Sequence, residues 1–314
     1  MHVLIPAGGR GVRLRPLTNA CPKPLLPLGD RAILSHILDR IPAELPVTVL
    51  VTEEVAPAFE SWKMTLSSTR NVQLYVEQPR LTGLNGPVVA LADCIRDRAI
   101  DDDLVIFMGD SVSPFRLGEF LGGDSRTLRL AAFQLPDLRD ASRFGVLEIT
   151  DEDLVLGFEE KPAAPRSPWI FTGCLRVPRA QLGVLTEVGE GSLPQMGHLV
   201  ERYLELGQTI EVFRVEGAWQ DIGTFSAYLE AHRALAPGAV LQSLAALGNQ
   251  LSGVVYVHPG AHVAGSTLTN CIVGEGARVE NAQLTNCVIH PRVHVTDRVV
   301  RDSLLSLEAE LALG

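Results

Sequence analysis

The sequence predicts an α/β domain with a mixed sheet, followed by a short parallel β-helix, and three observations carry that reading. Over residues 1–235, short apolar runs alternate with stretches of helical periodicity, the pattern of a layered sheet with crossover connections. In the later part of that span the helices thin out, so the sheet is expected to turn antiparallel or mixed there. Beyond residue 251 the texture changes to a unit that repeats every 16 residues.

Taken in order, HVLIP (2–6), VTVLV (47–51), VQLYVE (72–77) and DLVIFMGD (103–110) read as buried strands. AILSHILDRI (32–41) and GPVVALADCIRD (86–97) read as helices between them. FGVLEI (144–149), LVLGFEE (154–160), WIFTGCLRV (169–177) and IEVFRVEG (210–217) supply the antiparallel or mixed part. TFSAYLEAHRAL (224–235) has helical spacing, and residues 236–250 read as a linker. The expected domains are therefore 1–235, with 236–250 as linker, and 251–314.

In the last of these, LTNCIV at 268 returns as LTNCVI at 284 and more loosely as VRDSLL at 300. A second half-unit, AHV at 261, ARV at 277, VHV at 293 and AEL at 309, keeps the same step. Such runs cannot form a core singly, but about four stacked coils bury a common axis. Cys271 and Cys287 occupy equivalent repeat positions, so stacking accounts for them. His258, His262, His290 and His294 have i,i+4 spacing, but their Pro and Gly neighbours make turns, and a metal face is not expected.

Of the 314 residues 46% are hydrophobic and 20% charged, with a formal charge of -10, the balance of a soluble globular protein. An acidic chain argues against a nucleic-acid or anionic-membrane partner, which would want a basic face. No apolar run reaches membrane-spanning length and no signal-peptide pattern opens the chain, so a cytoplasmic location is expected. Five scattered cysteines with no C-x-x-C pair indicate neither a disulfide framework nor a zinc site.

Against that acidic background, GGRGVRLRPLT (8–18) places three arginines and three glycines directly behind the first strand. It fails the P-loop pattern, and the dinucleotide fingerprint fails because Leu14 stands at the third glycine. Its glycines permit close backbone approach to a ligand, and a helix following the loop would add its N-terminus. Arg13 is suited to fork onto phosphate oxygens, and Lys23 to act on them as a point charge.

The whole stretch GGRGVRLRPLTNACPKPLLPL resembles the signature of the sugar-1-phosphate nucleotidylyltransferases, Gly-Gly-x-Gly-Thr-Arg-Leu-x-Pro-Leu-Thr followed by Lys-Pro. One departure is that Val12 stands where the family usually has Thr. The resemblance extends along nearly the whole chain. FMGD and GAWQDIGT resemble the two acidic segments of the family, which makes Asp110 and Asp221 the expected Mg2+ ligands. FEEKP and RFGV resemble the sugar-phosphate segments, giving Gly145, Glu160 and Lys161, and FTGC gives Thr172 where the family commonly has Asn. EQPRLTGLNG resembles the base-reading segment, with Gln78 and Gly83.

The resemblance implies a Rossmann-like nucleotidyltransferase domain followed by a left-handed β-helix. It also implies an enzyme that converts an NTP and a sugar 1-phosphate to an NDP-sugar and pyrophosphate, with Arg13, Lys23 and Lys161 as catalytic charges. Ala7, Gly8, Gly9, Gly11, Arg13, Gln78 and Gly83 would bind the nucleotide. dTTP or UTP with glucose 1-phosphate is the first substrate expectation; GTP with mannose 1-phosphate, or a non-catalytic binding homologue, is the alternative. Homo-oligomerisation through the β-helix is expected. The segment EVGEGSLPQMGHLV departs from the family's sugar-reading patterns.

Overall fold

The computed structural model describes residues 1–78, 86–112, 115–190, 195–217, 219–235, 244, 247–307 and 310–313. It divides into two compact units, Met1–Gly9 with Ile37–Trp219, and Arg10–His36 with Gln220–Gly314. The strands of the first unit's main sheet are β1 His2–Pro6, β2 Val47–Thr52, β3 Val72–Glu77, β4 Leu104–Phe107, β5 Leu128–Gln134, β6 Gly145–Ile149, β7 Val155–Glu160, β8 Trp169–Val177 and β9 Ile210–Arg214. The helices in chain order are α1 Leu17–Ala20, α2 Ile33–Leu38, α3 Ala56–Lys63, α4 Pro87–Asp97, α5 Leu117–Phe120, α6 Leu182–Glu190, α7 Met196–Glu205 and α8 Phe225–Leu235.

The sheet runs β7-β6-β8-β4-β1-β2-β3, and β5 joins it on β8 with β9 beyond. β1, β2, β3 and β4 are parallel to their neighbours among themselves, whereas β8 lies antiparallel to β4, β5 and β6. The sheet is mixed, as the thinning of the helices implies. β2 is buried at five of its six residues and β4 at all four, as in a parallel sheet covered on both faces. α4 and α6 approach closely at Gly189, where a Cβ would stand 2.3 Å from that of Ala92.

In the second unit, the segment after the glycine loop forms no long helix. It breaks into a 3-10 turn at Val12–Leu14, the four-residue α1, and a second 3-10 turn at Lys23–Leu25. This corrects the expectation of a helix N-terminus behind the loop. Pro16, Pro22, Pro24 and Pro27 remove the amide donors that a longer helix needs. α8 packs on the short Pro27–Leu28 strand, where the Tyr228 hydroxyl donates to the Pro27 carbonyl. Its His232 ring also lies 5.0 Å from that of Tyr256 in the first strand of the repeat region.

The repeat strands are β10 Gln250–Val257, β11 His262–Ala264, β12 Thr267–Val273, β13 Arg278–Glu280, β14 Gln283–Ile289, β15 His294–Thr296, β16 Val299–Leu305 and β17 Glu310–Ala312. β10, β12, β14 and β16 stack in parallel, with Cys271 opposite Cys287 and Leu268 opposite Leu284. β11, β13 and β15 form a second parallel sheet. These are the coils of a parallel β-helix. β12, β14 and β16 each bend at a left-handed residue in register, Asn270, Asn286 and Asp302 at φ 52, 52 and 47. The Asn270 amide donates to Asn286 Oδ1 at 3.1 Å, and the Asn286 amide to Asp302 Oδ1 at 2.7 Å. The final half-unit departs from the repeat: β17 turns back and pairs antiparallel with β16.

Candidate active site

At the end of β1 the chain enters the glycine loop with Ala7 buried, its amide donating to the Leu50 carbonyl at 2.8 Å. A Cβ at Gly8 would meet Glu77 Oε1 at 2.8 Å, so a larger residue there would displace that carboxylate. Gly9 is exposed with nothing within 4 Å of its Cβ position. The chain leaving β4 touches the same place: the Gly109 amide donates to the Pro6 carbonyl at 3.1 Å, and a Cβ there would crowd Ala7. Asp110 follows directly, half-buried at the carboxyl end of a central parallel strand, where open α/β sheets bind ligands. Gln78 is exposed just past β3, and Gly83 lies outside the described residues.

In the second unit Gly11 adopts the left-handed region at φ 57, and its carbonyl accepts the Thr18 hydroxyl at 2.9 Å. That turn presents Val12 and Arg13 to solvent while Leu14 enters the core. The Lys23 side chain is nearly buried and its Nζ lies 3.3 Å from Asp221 Oδ1. A Cβ at Gly223 would meet Asp221 Oδ2 at 2.7 Å and Arg13 Nη2 at 3.2 Å. Arg13, Lys23 and Asp221 therefore converge around Gly223, although 198 residues separate the last two.

A third group of residues lies in the first unit. Glu160 ends β7 opposite Gly145, the first residue of β6. Lys161 follows in the left-handed region at φ 48, where its exposed Nζ lies 3.0 Å from Glu160 Oε1. Nearby on α7, burial pushes the Glu201 carboxyl above its ordinary range, with His198 opposing and Glu160 reinforcing the shift. Thr172 is buried and its hydroxyl donates to the Ala131 carbonyl at 2.9 Å, which commits its only proton to the sheet.

Three residues with no place in the sequence reading belong here. Glu77 faces Gly8, and burial, then Asp93, raises its carboxyl. Its position directly before Gln78 is the signal that would have found it. Gly223 and Gly197 stand within GAWQDIGT and EVGEGSLPQMGHLV, but the sequence assigns them no role, because the room each leaves for a neighbouring side chain shows only in three dimensions.

Among the described residues, no helix is long and apolar enough to cross a membrane. The nucleotidyl transferase family matches residues 2–238. A glucose-1-phosphate thymidylyltransferase of Streptomyces antibioticus is 30% identical over 247 residues, 74% of this chain and 65% of that protein. The chain thus spans just under two thirds of that relative's length. A mannose-1-phosphate guanylyltransferase of Mycobacterium tuberculosis is 27% identical over 275 residues, 85% of this chain and 74% of that protein. A Bacillus anthracis crystal structure, provisionally described as a glucose-1-phosphate thymidylyltransferase and containing sucrose, shares the fold at a TM-score of 0.60 and 23% identity. It covers 75% of this chain and 94% of its own. With a family match over three quarters of the sequence and relatives of one chemistry, the chain belongs to the nucleotidyl transferase family.

Proposed function

We propose that the protein is a sugar-1-phosphate nucleotidylyltransferase, joining an NTP and a sugar 1-phosphate into an NDP-sugar and releasing pyrophosphate. The observation that carries this reading is the convergence of Arg13, Lys23 and Asp221 around Gly223, behind a glycine loop that ends a buried parallel strand. A phosphate monoester has a second pKa of about 6, so its oxygen is already ionised at neutral pH and needs no general base. That oxygen attacks the α-phosphorus in line; the bond to the α,β-bridging oxygen breaks, and pyrophosphate leaves with the electron pair. The protein's task is to hold two polyanions together and offset their repulsion.

Arg13 neutralises the leaving pyrophosphate, and Lys23 and Lys161 hold the reacting phosphates. Ala7, Gly8, Gly9 and Gly11 bring the backbone up to the nucleotide, and Gln78, with Gly83 as the family resemblance implies, reads the base. Gly145, Glu160 and Thr172 border the sugar phosphate, Thr172 as an acceptor only. Asp110 and Asp221 would hold Mg2+. The fit rests on donor chemistry: Asp221 offers hard carboxylate oxygens beside the phosphate-binding cations, and this ion takes one or two carboxylates and completes its shell with phosphate and water oxygens. When bound, the ion supplies further charge stabilisation at the phosphates.

The domains of action are 1–235 for catalysis, 236–250 as linker and 251–314 as an oligomerisation module. dTTP or UTP with glucose 1-phosphate is the first substrate pair, in line with the Streptomyces relative. The Mycobacterium relative, matched over more of the chain, favours GTP with mannose 1-phosphate as the second. A matrix of five nucleoside triphosphates against several sugar 1-phosphates, with Mg2+ and pyrophosphate as readout, is expected to give release with one pairing well above the rest. No release with any pairing would support a non-catalytic binding protein instead.

A further inference from the structure

We infer that Gly197, in the first turn of α7, is a positioning residue that gives the Glu160 carboxylate its seat beside the sugar phosphate. The inference rests on the functional reading above and deepens it at one residue. β7 ends with Glu160 directly opposite Gly145, and α7 packs across the same strand end. A Cβ built on Gly197 would stand 2.4 Å from Glu160 Oε2, and one built on Gly145 would stand 3.1 Å from the same atom. Two glycines from separate elements thus bound one carboxylate oxygen.

Neither glycine is required by its backbone. Both lie outside the left-handed region, and Gly197 is the second residue of a ten-residue helix, where alanine is the better helix former. Gly197 is also buried, so the missing side chain does not serve solvent exposure. What the position excludes is volume. With a methyl group there, the carboxylate has to swing out of the slot, away from Gly145 and from the orientation in which it pairs with Lys161. Gly183 on α6 is the contrast: it too is helical, but nothing lies within 4 Å of its Cβ position.

The Phe158 ring shares the slot, 2.9 Å from the Gly197 Cβ position and 2.4 Å from that of Gly145. A purely structural role for Gly197 would act through this ring, and the test separates the two. Gly197→Ala is expected to raise the KM for sugar 1-phosphate about tenfold while the KM for NTP stays within about twofold, and Gly183→Ala to behave as wild type. In the double variant Gly197→Ala/Phe158→Leu the ring is relieved, so thermal stability recovers but the raised sugar KM persists. The double variant also decides the matter if the single variant does not fold. An unchanged sugar KM in Gly197→Ala, or its return to the wild-type value in the double variant, overturns the inference. A wild-type protein that turns over no substrate pair instead removes the functional reading on which it rests.

Discussion

Lys23 and Asp221 illustrate what a single residue does here. Lys23 is nearly buried with its Nζ 3.3 Å from Asp221 Oδ1, and in the proposed reaction it meets a phosphate. Lys23→Gln is expected to lower kcat/KM by about 10²–10³, the cost of one preorganised charge, as measured by steady-state kinetics with saturating Mg2+. Val12 is exposed, so Val12→Thr leaves thermal stability unchanged; a restored hydroxyl bond to phosphate lowers the KM for NTP by about threefold to tenfold. Arg176 has no role in the proposed reaction and should behave oppositely. It is wholly buried, and its guanidinium donates to the carbonyls of Leu121, Gly122, Asp124 and Thr127, closing the turn after α5. Arg176→Met leaves the Leu121 and Thr127 carbonyls without this donor, while Gly122 keeps Arg129 and Asp124 keeps the Thr127 amide, and urea denaturation should show a loss of about 2–3 kcal/mol. Arg176→Lys should recover little of it, since three donors on one atom do not reproduce the fork. Asp110, Lys23 and Asp221 were legible in the sequence as motif residues, but the meeting of Lys23 with Asp221 was not, because no local pattern encodes a contact across that separation.

At the scale of elements, α8 links the proline-rich segment to the first coil of the β-helix through Tyr228 and His232. His232 is fully buried, its Nδ1 lies 2.9 Å from the Tyr228 carbonyl, and burial pushes its pKa down to about 4. Below the ordinary histidine value the unfolded chain takes up a proton that the folded chain refuses. Stability therefore falls as pH drops from about 6.5 toward 4, by up to about 3 kcal/mol from this residue. His232→Phe should flatten that part of the stability profile in denaturant titrations. The Asn270, Asn286 and Asp302 ladder predicts a second effect: Asn286→Ala loses two side-chain bonds and leaves a left-handed turn without its amide, lowering stability by about 1–2 kcal/mol in thermal melts. The strands were legible because two-sided burial leaves continuous apolar runs, and the coils because their period repeats. The helix expected after the glycine loop failed against four prolines. The AEL half-unit kept the repeat's spacing, yet β17 pairs antiparallel with β16, because the spacing carries no information on strand direction.

For the whole molecule, the division into units has a consequence for truncation. Residues 10–36 group with 220–314, so removing residues 251–314 takes away the coil against which α8 packs. Such a deletion is expected to weaken nucleotide binding as well as change oligomer size, and calorimetric titration with NTP would register the former. The proposed transfer is one direct displacement at the α-phosphorus, with the sugar phosphate as nucleophile and no covalent intermediate. Its most direct measurement uses a single diastereomer of the preferred NTP, made chiral at the α-phosphorus with sulfur, and determines the configuration of the NDP-sugar formed. Inversion is the predicted result, and retention, or the absence of any NDP-sugar, would contradict the account.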